Sequence, residues 1–254
     1  MRVLAWGVSD VGCKREENED SFLLRRDLGL FAVADGMGGH QGGARASSLA
    51  VEVLARELEG VDLEASASAG PSTEAPPARA LRAAATMAGE DIFDQAETDI
   101  SLMGMGTTLT SLLIHGGRAY LGHVGDSRAY LYRDDRIEQL TRDHSWIEEQ
   151  VRAGLLTSDE AEQSSFKHVI TRSVGFEREV DPDLVVLPFL MGDVFLLCSD
   201  GLSNYLTEDD LHACLRDNYY AQVPSLLVDQ ANSRGGDDNI TCLVVYLANE
   251  VEPE

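Results

Sequence analysis

Apolar runs separated by turn residues dominate the chain and predict a set of short strands. Several of these runs are apolar without alternation, which is typical of strands buried on both faces. The predicted strands are residues 4–8, 22–24, 28–35, 184–188, 194–198 and 240–247.

Other segments carry apolar residues at spacings of three and four, the period of an amphipathic helix. The predicted helices are residues 44–58, 77–93, 208–216 and 223–233. Between the first two, residues 62–78 are rich in Ala, Ser, Pro and Gly without apolar periodicity. We predict a flexible surface loop there, inside one domain.

The middle segment, residues 107–140, alternates strand-like runs with tight turns at 116–117 and 134–135. Turns this short join only antiparallel neighbours, so an antiparallel meander is predicted. Strand blocks segregated from helix pairs indicate an α+β fold, with helices packed outside one or two antiparallel sheets.

Composition narrows the class of protein. Of 254 residues, 44% are hydrophobic and 25% charged, which fits one domain or two small ones. We predict a single domain spanning residues 1–254. The formal net charge of -24 opposes binding to a phosphate backbone, so no nucleic-acid partner is expected.

Neither a membrane span nor a signal peptide is recognisable, and we expect a cytoplasmic protein. The four cysteines lack a C-x-x-C pair, so they suggest neither a zinc knuckle nor a disulfide framework.

Three aspartates stand at the boundaries of apolar strands: Asp35, Asp200 and Asp238. If they converge at one sheet edge, their ionised forms coexist only around a cation, and oxygen ligands favour Mg²⁺ or Mn²⁺ over zinc. Taken singly, each could equally be a turn residue or a helix cap.

The glycine-rich loop that follows Asp35 has two better-known interpretations, and both fail. A dinucleotide-binding G-x-G-x-x-G pattern starting at Gly36 needs a glycine where the chain has Gln41, and a Walker loop needs a lysine that is missing.

Eight blocks then carry a family resemblance along essentially the whole chain. They are SDVGCKREENEDSF, FAVADGMGGHQGG, GMGTTLTSLLI, LGHVGDSRAYLY, LTRDHSW, VITRSVG, FLLCSDGL and GGDDNITCLVVYL. In this order they resemble the bacterial metal-dependent serine/threonine protein phosphatases of the type 2C (PPM) family. The resemblance implies a four-layer αββα sandwich, two antiparallel β-sheets flanked by helix pairs, with the metal centre at one edge.

The resemblance also implies a role for individual residues. In that family the counterpart of Asp35 bridges two Mn²⁺ or Mg²⁺ ions, assisted by the carbonyl of the next residue, here Gly36. Asp200 and Asp238 match ligands of the first ion, and Asp126 with Asp200 matches the site of a third, weaker ion.

Further matches concern substrate and water. Glu19 and Asp20 match acidic residues that hold metal-bound water, and Asp20 is counted with the metal site. Arg15 matches the arginine that grips the substrate phosphate, which suits a guanidinium because it pairs with phosphate oxygens in a two-pronged fashion.

The activity implied is hydrolysis of phosphoserine and phosphothreonine in proteins by a metal-bridging hydroxide, without a phosphoenzyme intermediate. Eukaryotic relatives carry a histidine where this chain has Met37, and the nearest histidine is His40, so the general acid is not assigned. Residues 145–173 are predicted to form either a flap, which the resemblance places beside the site, or an ordinary connecting helix pair. Phosphoprotein substrates, a counterpart serine/threonine kinase and a monomeric state are expected.

Two alternatives remain open. A GDS-type serine esterase would use Ser127 and His212, but it leaves Asp35, Asp200 and Asp238 unexplained. A catalytically inactive relative that binds phosphoproteins would be expected to lack some metal carboxylates, and here the set is complete.

Overall fold

The computed structural model describes residues 1–38, 41–63, 73–157, 160–161, 164, 166 and 169–249. Its strands are β1 Arg2–Asp10, β2 Asp20–Arg25, β3 Leu30–Met37, β4 Gly106–Thr107, β5 Leu109–His115, β6 Arg118–Val124, β7 Arg128–Arg133, β8 Arg136–Gln139, β9 Asp183–Pro188, β10 Val194–Cys198 and β11 Ile240–Ala248. Its α-helices are α1 Gln41–Glu59, α2 Pro76–Thr98, α3 Trp146–Arg152, α4 Asp200–Ser203, α5 Glu208–Asp217 and α6 Val223–Ser233, with a 3₁₀ turn at Ile100–Leu102.

The strands form two antiparallel sheets. The first sheet has the order β1-β11-β10-β7-β8, and the second has the order β2-β3-β5-β6-β9, with β4 added beside β3. Their facing sides share a core that includes Phe31, Leu112, Phe195 and Leu243. Strands in this core are buried on both faces, which explains why their sequences do not alternate.

A helical layer covers the outer face of each sheet. Helices α1 and α2 pack their alanine-rich faces on the second sheet, where Ala46, Ala50 and Ala84 are completely buried. Helices α5 and α6 cover the first sheet through Leu211 and Leu227. The predicted α+β fold, a four-layer αββα sandwich, is confirmed.

The predicted meander was wrong in one respect, because its two hairpins lie in different sheets. Strands β5 and β6 belong to the second sheet, whereas β7 and β8 belong to the first. The chain crosses between the sheets at residues 125–127, where Gly125 has a φ of 107° that favours glycine. Turn chemistry shows that neighbouring strands are antiparallel, but it does not reveal which sheet a hairpin joins.

The two hairpin turns themselves are as predicted. Both central residues have positive φ in each turn, 54° and 77° at Gly116 and Gly117, and 51° and 57° at Asp134 and Asp135. This is the backbone of the tight two-residue turns that match strand twist.

Element boundaries differ from the prediction mainly at the site. Strand β3 continues through Asp35 to Met37, and Asp200 opens the short helix α4 where a glycine loop was predicted. The end of the predicted loop at 62–78 belongs to α2, while residues 64–72 lie outside the described residues. The single-domain organisation stays a prediction.

The predicted flap begins with helix α3, whose N-cap Ser145 accepts a hydrogen bond from the backbone of Glu148. Residues 158–159, 162–163, 165 and 167–168 of the flap lie outside the described part of the chain. Among the described helices, none has the length and apolar character needed to cross a membrane.

Candidate active site

A cleft of about 590 Å³ opens at one end of the sandwich, where β3 ends and β11 begins. The predicted site residues that line it are Arg15, Glu19, Asp35, Gly36, Asp126, Asp200 and Asp238. Asp20 does not line the cleft. It is buried on β2 directly opposite Asp35 in the strand register.

Asp35 is fixed through its backbone. Its N–H donates to Thr108 Oγ1 at 2.9 Å, and its carbonyl accepts bonds from the Thr107 hydroxyl and the Thr108 N–H, both at 2.9 Å. Burial, followed by the charges of Asp20 and Asp200, raises the pKa of Asp35 well above its usual range. The neighbouring threonines therefore fix the backbone of Asp35 at the end of β3.

Two hydroxyl groups hold the carboxylate of Asp20. Its Oδ2 accepts bonds from Ser199 Oγ at 2.8 Å and Thr241 Oγ1 at 2.6 Å. Its Oδ1 is buried and has no hydrogen-bond partner among the described residues. Burial raises the pKa of Asp20 to about 7, against the opposing effect of the two hydroxyl donors.

Asp126 lies on the crossing between the sheets and is 7% exposed. Its Oδ1 is likewise buried without a partner in the described part of the chain. Burial and the nearby charge of Asp200 raise its pKa to about 8. The preceding Gly125 is fixed by His144, which accepts from its N–H at 3.0 Å and donates to its carbonyl through the backbone at 2.8 Å.

Asp200 and Asp238 enter the cleft from the first sheet. Asp200 Oδ2 accepts a bond from the Asn204 side chain at 3.1 Å. Asp238 Oδ1 accepts from the Asn239 N–H, and its Oδ2 pairs with Arg15 Nη2 at 2.8 Å. The bond to Asp238 raises the pKa of the Arg15 guanidinium, which stays charged.

The glycines let three backbone segments meet here. A Cβ on Gly36 would clash with the carbonyls of Gly43 and Glu19, and a Cβ on Gly43 would clash with the Glu19 carboxylate. Glycine at these positions therefore allows the start of α1 to lie against Glu19 and the end of β3.

The donor set fits a hard divalent cation. Asp20, Asp35 and Asp126 have raised pKa values, and two of their oxygens are buried without a partner among the described residues, so a bound cation would favour the ionised forms. Among the described residues, no three His, Cys, Asp or Glu side chains already form a ready ion cage. Arg15 occupies one oxygen of Asp238, so ion binding at that carboxylate requires some side-chain adjustment.

Among the described residues, no histidine lines this cleft. His40 and His168 lie outside the part of the chain that the structure describes. His123 bonds Thr110 Oγ1 through Nδ1 and the Arg142 carbonyl through Nε2, and its ring lies 4.7 Å from that of His144. Burial lowers the pKa of His123 to about 4. His123 and His144 therefore stabilise the structure around the site.

Sequence reasoning missed Ser199, Thr241 and Asn204, whose side chains hold the carboxylates of Asp20 and Asp200. A signal was present, because Ser199 directly precedes Asp200, and Thr241 follows Asp238 by three residues. Polar residues inside otherwise apolar strand ends are buried only with partners.

The esterase hypothesis has no structural support. Ser127 is completely buried and bonds Thr108 Oγ1 at 2.7 Å, and His212 bonds the carbonyl of Asp135 at 3.0 Å. The two residues do not form the nucleophile and base pair that a serine hydrolase needs.

Comparisons with known proteins agree with this geometry. A sequence model described as Protein phosphatase 2C matches residues 14–226. The serine/threonine phosphatase stp of Listeria monocytogenes serovar 1/2a is 35% identical over 241 residues, covering 93% of each chain.

Solved structures agree as well. The Mycobacterium tuberculosis serine/threonine phosphatase PstP/Ppp superposes with a TM-score of 0.87 at 35% identity, covering 98% of this chain and 100% of that one. A PstP catalytic domain in complex with two manganese ions superposes with a TM-score of 0.84 at 34% identity, covering 97% of this chain and 99% of that one.

Fold, cleft and comparisons together define the class: the chain belongs to the protein phosphatase 2C family, whose bacterial members matched here are serine/threonine phosphatases.

Proposed function

We propose that this chain removes phosphate from phosphoserine and phosphothreonine side chains of proteins, in a reaction that depends on Mn²⁺ or Mg²⁺. The observation that carries the proposal is the meeting of Asp20, Asp35, Asp126, Asp200 and Asp238 at one end of the sandwich, with two buried carboxylate oxygens unpaired among the described residues. Buried carboxylate oxygens such as Asp20 Oδ1 and Asp126 Oδ1 are costly to leave unpaired unless they serve to bind a cation.

The ligands we propose are Asp35, the Gly36 carbonyl, Asp20, Asp200 and Asp238 for two ions, with Asp126 and Asp200 for a third, weaker one. Glu19 would hold water at the edge of this site. The manganese in the PstP catalytic domain supports this assignment, since that chain is similar over nearly its whole length. Bound ions would supply a water of lowered pKa at neutral pH and neutralise charge on the phosphoryl oxygens.

The chain's own residues would bind and orient the phosphate. Arg15 is half-exposed at the cleft and carries its charge within bonding distance of Asp238. We infer that it turns its second guanidinium edge to two phosphate oxygens, which fixes the phosphorus relative to Asp35. The backbone of Asp35 is held by Thr107 and Thr108, so its position at the end of β3 is set before ligands arrive.

The substrates we propose are phosphorylated proteins, with a serine/threonine kinase as the counterpart that phosphorylates them. A cytoplasmic location, a single domain and a monomeric state remain predictions from sequence.

The test is hydrolysis of a phosphothreonine peptide by purified protein with Mn²⁺, with Mg²⁺ and with chelator, comparing the natural chain with Asp35→Asn. We expect metal-dependent turnover that disappears in the variant, while its circular dichroism is unchanged. Turnover that survives chelator would overturn the metal-dependent reaction, and Mn²⁺ binding without turnover would support the inactive phosphoprotein-binding relative.

A further inference from the structure

A second cavity, of about 350 Å³, adjoins the catalytic cleft. It is lined by residues 170–173, 176–177 and 179–181 and by Met37, and we call it the flanking groove. Met37 and Ile170 line both the flanking groove and the cleft, so the two spaces meet at these side chains. A polypeptide that places a phosphorylated residue at Asp35 must leave the cleft in some direction, and this groove offers one path.

The groove is held rigidly against the site. Val174 exchanges two backbone hydrogen bonds with Thr107, at 3.0 and 2.8 Å, and Thr107 in turn bonds the carbonyl of Asp35. On its outer side, Arg178 pairs with Asp94 of α2 at 2.6 Å. The position of the groove relative to Asp35 is therefore set by the sheet.

One wall of the groove is apolar. Phe176 is 64% exposed and lines the groove. Val180 and Met37 add partly buried aliphatic surface to the same cavity. A long side chain with a methylene stem could lie against this wall.

The residues that line the groove also carry unbalanced negative charge. Glu177 and Glu179 are exposed and make no hydrogen bond or ion pair with any described residue. The cation of the groove, Arg172, is engaged by Asp183 Oδ1 at 2.8 Å and by the Asp181 carbonyl. Asp181 is itself paired with Arg82 at 3.1 Å. What remains open to a ligand is two carboxylates beside an aromatic ring.

We propose that the flanking groove binds an arginine or lysine side chain of the substrate polypeptide, a few residues away from the phosphorylated residue. The aliphatic stem would pack on Phe176 and Met37, and the cationic head would lie between Glu177 and Glu179, with a cation–π contribution from the ring. This inference rests on the proposed function and adds a substrate class to it: phosphorylated segments that contain basic residues.

The experiment uses phosphothreonine peptides that are identical except for one scanned position, occupied in turn by Arg, Ala or Glu on either side of the phosphothreonine. The natural chain is compared with the double variant Glu177→Lys/Glu179→Lys and with Asp229→Lys. Asp229 is exposed on α6, in the opposite helical layer, and tests the effect of surface charge alone. Para-nitrophenyl phosphate, which has no flanking residues, reports the activity of the catalytic centre.

We expect the natural chain to prefer Arg over Ala at one or two positions by about fivefold in kcat/KM, the effect of a pair of exposed ion pairs. The double lysine variant should reverse the preference toward Glu at the same positions and keep its activity on para-nitrophenyl phosphate. Asp229→Lys should keep the preference for Arg.

Two results would overturn the inference and leave the proposed function standing: equal kcat/KM for Arg, Ala and Glu peptides at every position, or an Arg preference that the double variant retains. If the natural chain hydrolyses none of these substrates, the proposed function is wrong, and the groove proposal that rests on it is wrong as well.

Discussion

Asp193 and Asp20 are both almost completely buried, at 1% and 9% exposure, yet their charges are balanced in different ways. Asp193 receives two bonds from Arg133, at 2.7 and 2.6 Å, and a third from the Leu190 N–H. Asp20 receives only two hydroxyl bonds and leaves Oδ1 unpaired among the described residues.

The same contrast holds for a second pair. Asp143 is gripped by Arg128 through three contacts of 2.7 to 3.0 Å, whereas Asp126 has a buried oxygen without a partner in the described part of the chain. Structural carboxylates of this protein thus receive a cation from the chain itself. Asp20 and Asp126 make no ion pair with a described residue, although Asp238 in the cleft pairs with Arg15. This contrast indicates that the cation for Asp20 and Asp126 comes from solution.

The largest expected effect comes from the ion pair between Arg133 and Asp193. Arg133→Ala leaves the Asp193 carboxylate buried without its cation, and we expect a loss of about 3–5 kcal/mol in the free energy of unfolding. Urea unfolding measures it. If the variant loses under 1 kcal/mol, the pair is no more than a surface contact and the contrast between the regions fails.

The pH dependence of stability tests the buried carboxyl groups of Asp20 and Asp126 next. Burial raises the pKa of Asp20 to about 7 and of Asp126 to about 8, so the folded protein binds protons that the unfolded chain has released. In chelator, stability should therefore be highest near pH 4–5 and fall by on the order of 3 kcal/mol as the pH rises through 8. Urea unfolding at several pH values measures this, and saturating Mn²⁺ should remove much of the fall. Stability that rises with pH in chelator would contradict the uncompensated cluster.

Arg15 connects the cleft to its substrate. Arg15→Ala should reduce kcat/KM for a phosphothreonine peptide by about 10- to 100-fold, the range for losing hydrogen bonds to a charged group. Arg15→Lys should recover only part of the loss, because an ammonium does not make the two-pronged contact. Mn²⁺ affinity, measured in parallel, separates a role on phosphate from a role on Asp238.

The smallest expected effect comes from the hydroxyls that hold Asp20. Thr241→Val keeps the shape of the side chain but removes its 2.6 Å bond to Asp20 Oδ2. We expect Mn²⁺ affinity to fall by about tenfold, as for other residues that hydrogen-bond to a metal ligand without touching the metal. An unchanged affinity, with the variant folded, would mean that Asp20 does not contribute to ion binding.

Sequence patterns predicted most of the fold because each apolar run is long enough to decide between strand and helix. Strand β10 and helix α6 were placed with the boundaries the structure has, Val194–Cys198 and Val223–Ser233. The distribution of the hairpins between two sheets was not predicted, since a turn such as Gly116-Gly117 fixes only its own pair of strands.

For the site, the aspartates at strand boundaries and the family resemblance predicted the correct end of the sandwich. They did not indicate that Arg15 lies against Asp238, or that Ser199 and Thr241 share the Asp20 carboxylate. These contacts join residues more than 170 positions apart, and no local pattern encodes them. The two-ion and three-ion ligand sets stay predictions.

The most direct test of the central claim is calorimetric titration of Mn²⁺ at pH 7.5 into the natural chain, Asp35→Asn and Asp193→Asn. We expect the natural chain and Asp193→Asn to bind Mn²⁺ alike, and Asp35→Asn to lose more than the roughly 100-fold in affinity that outer-shell substitutions cost. Equal binding by all three proteins, or no binding by the natural chain, would contradict the claim that the unbalanced carboxylates of the cleft form a divalent cation site.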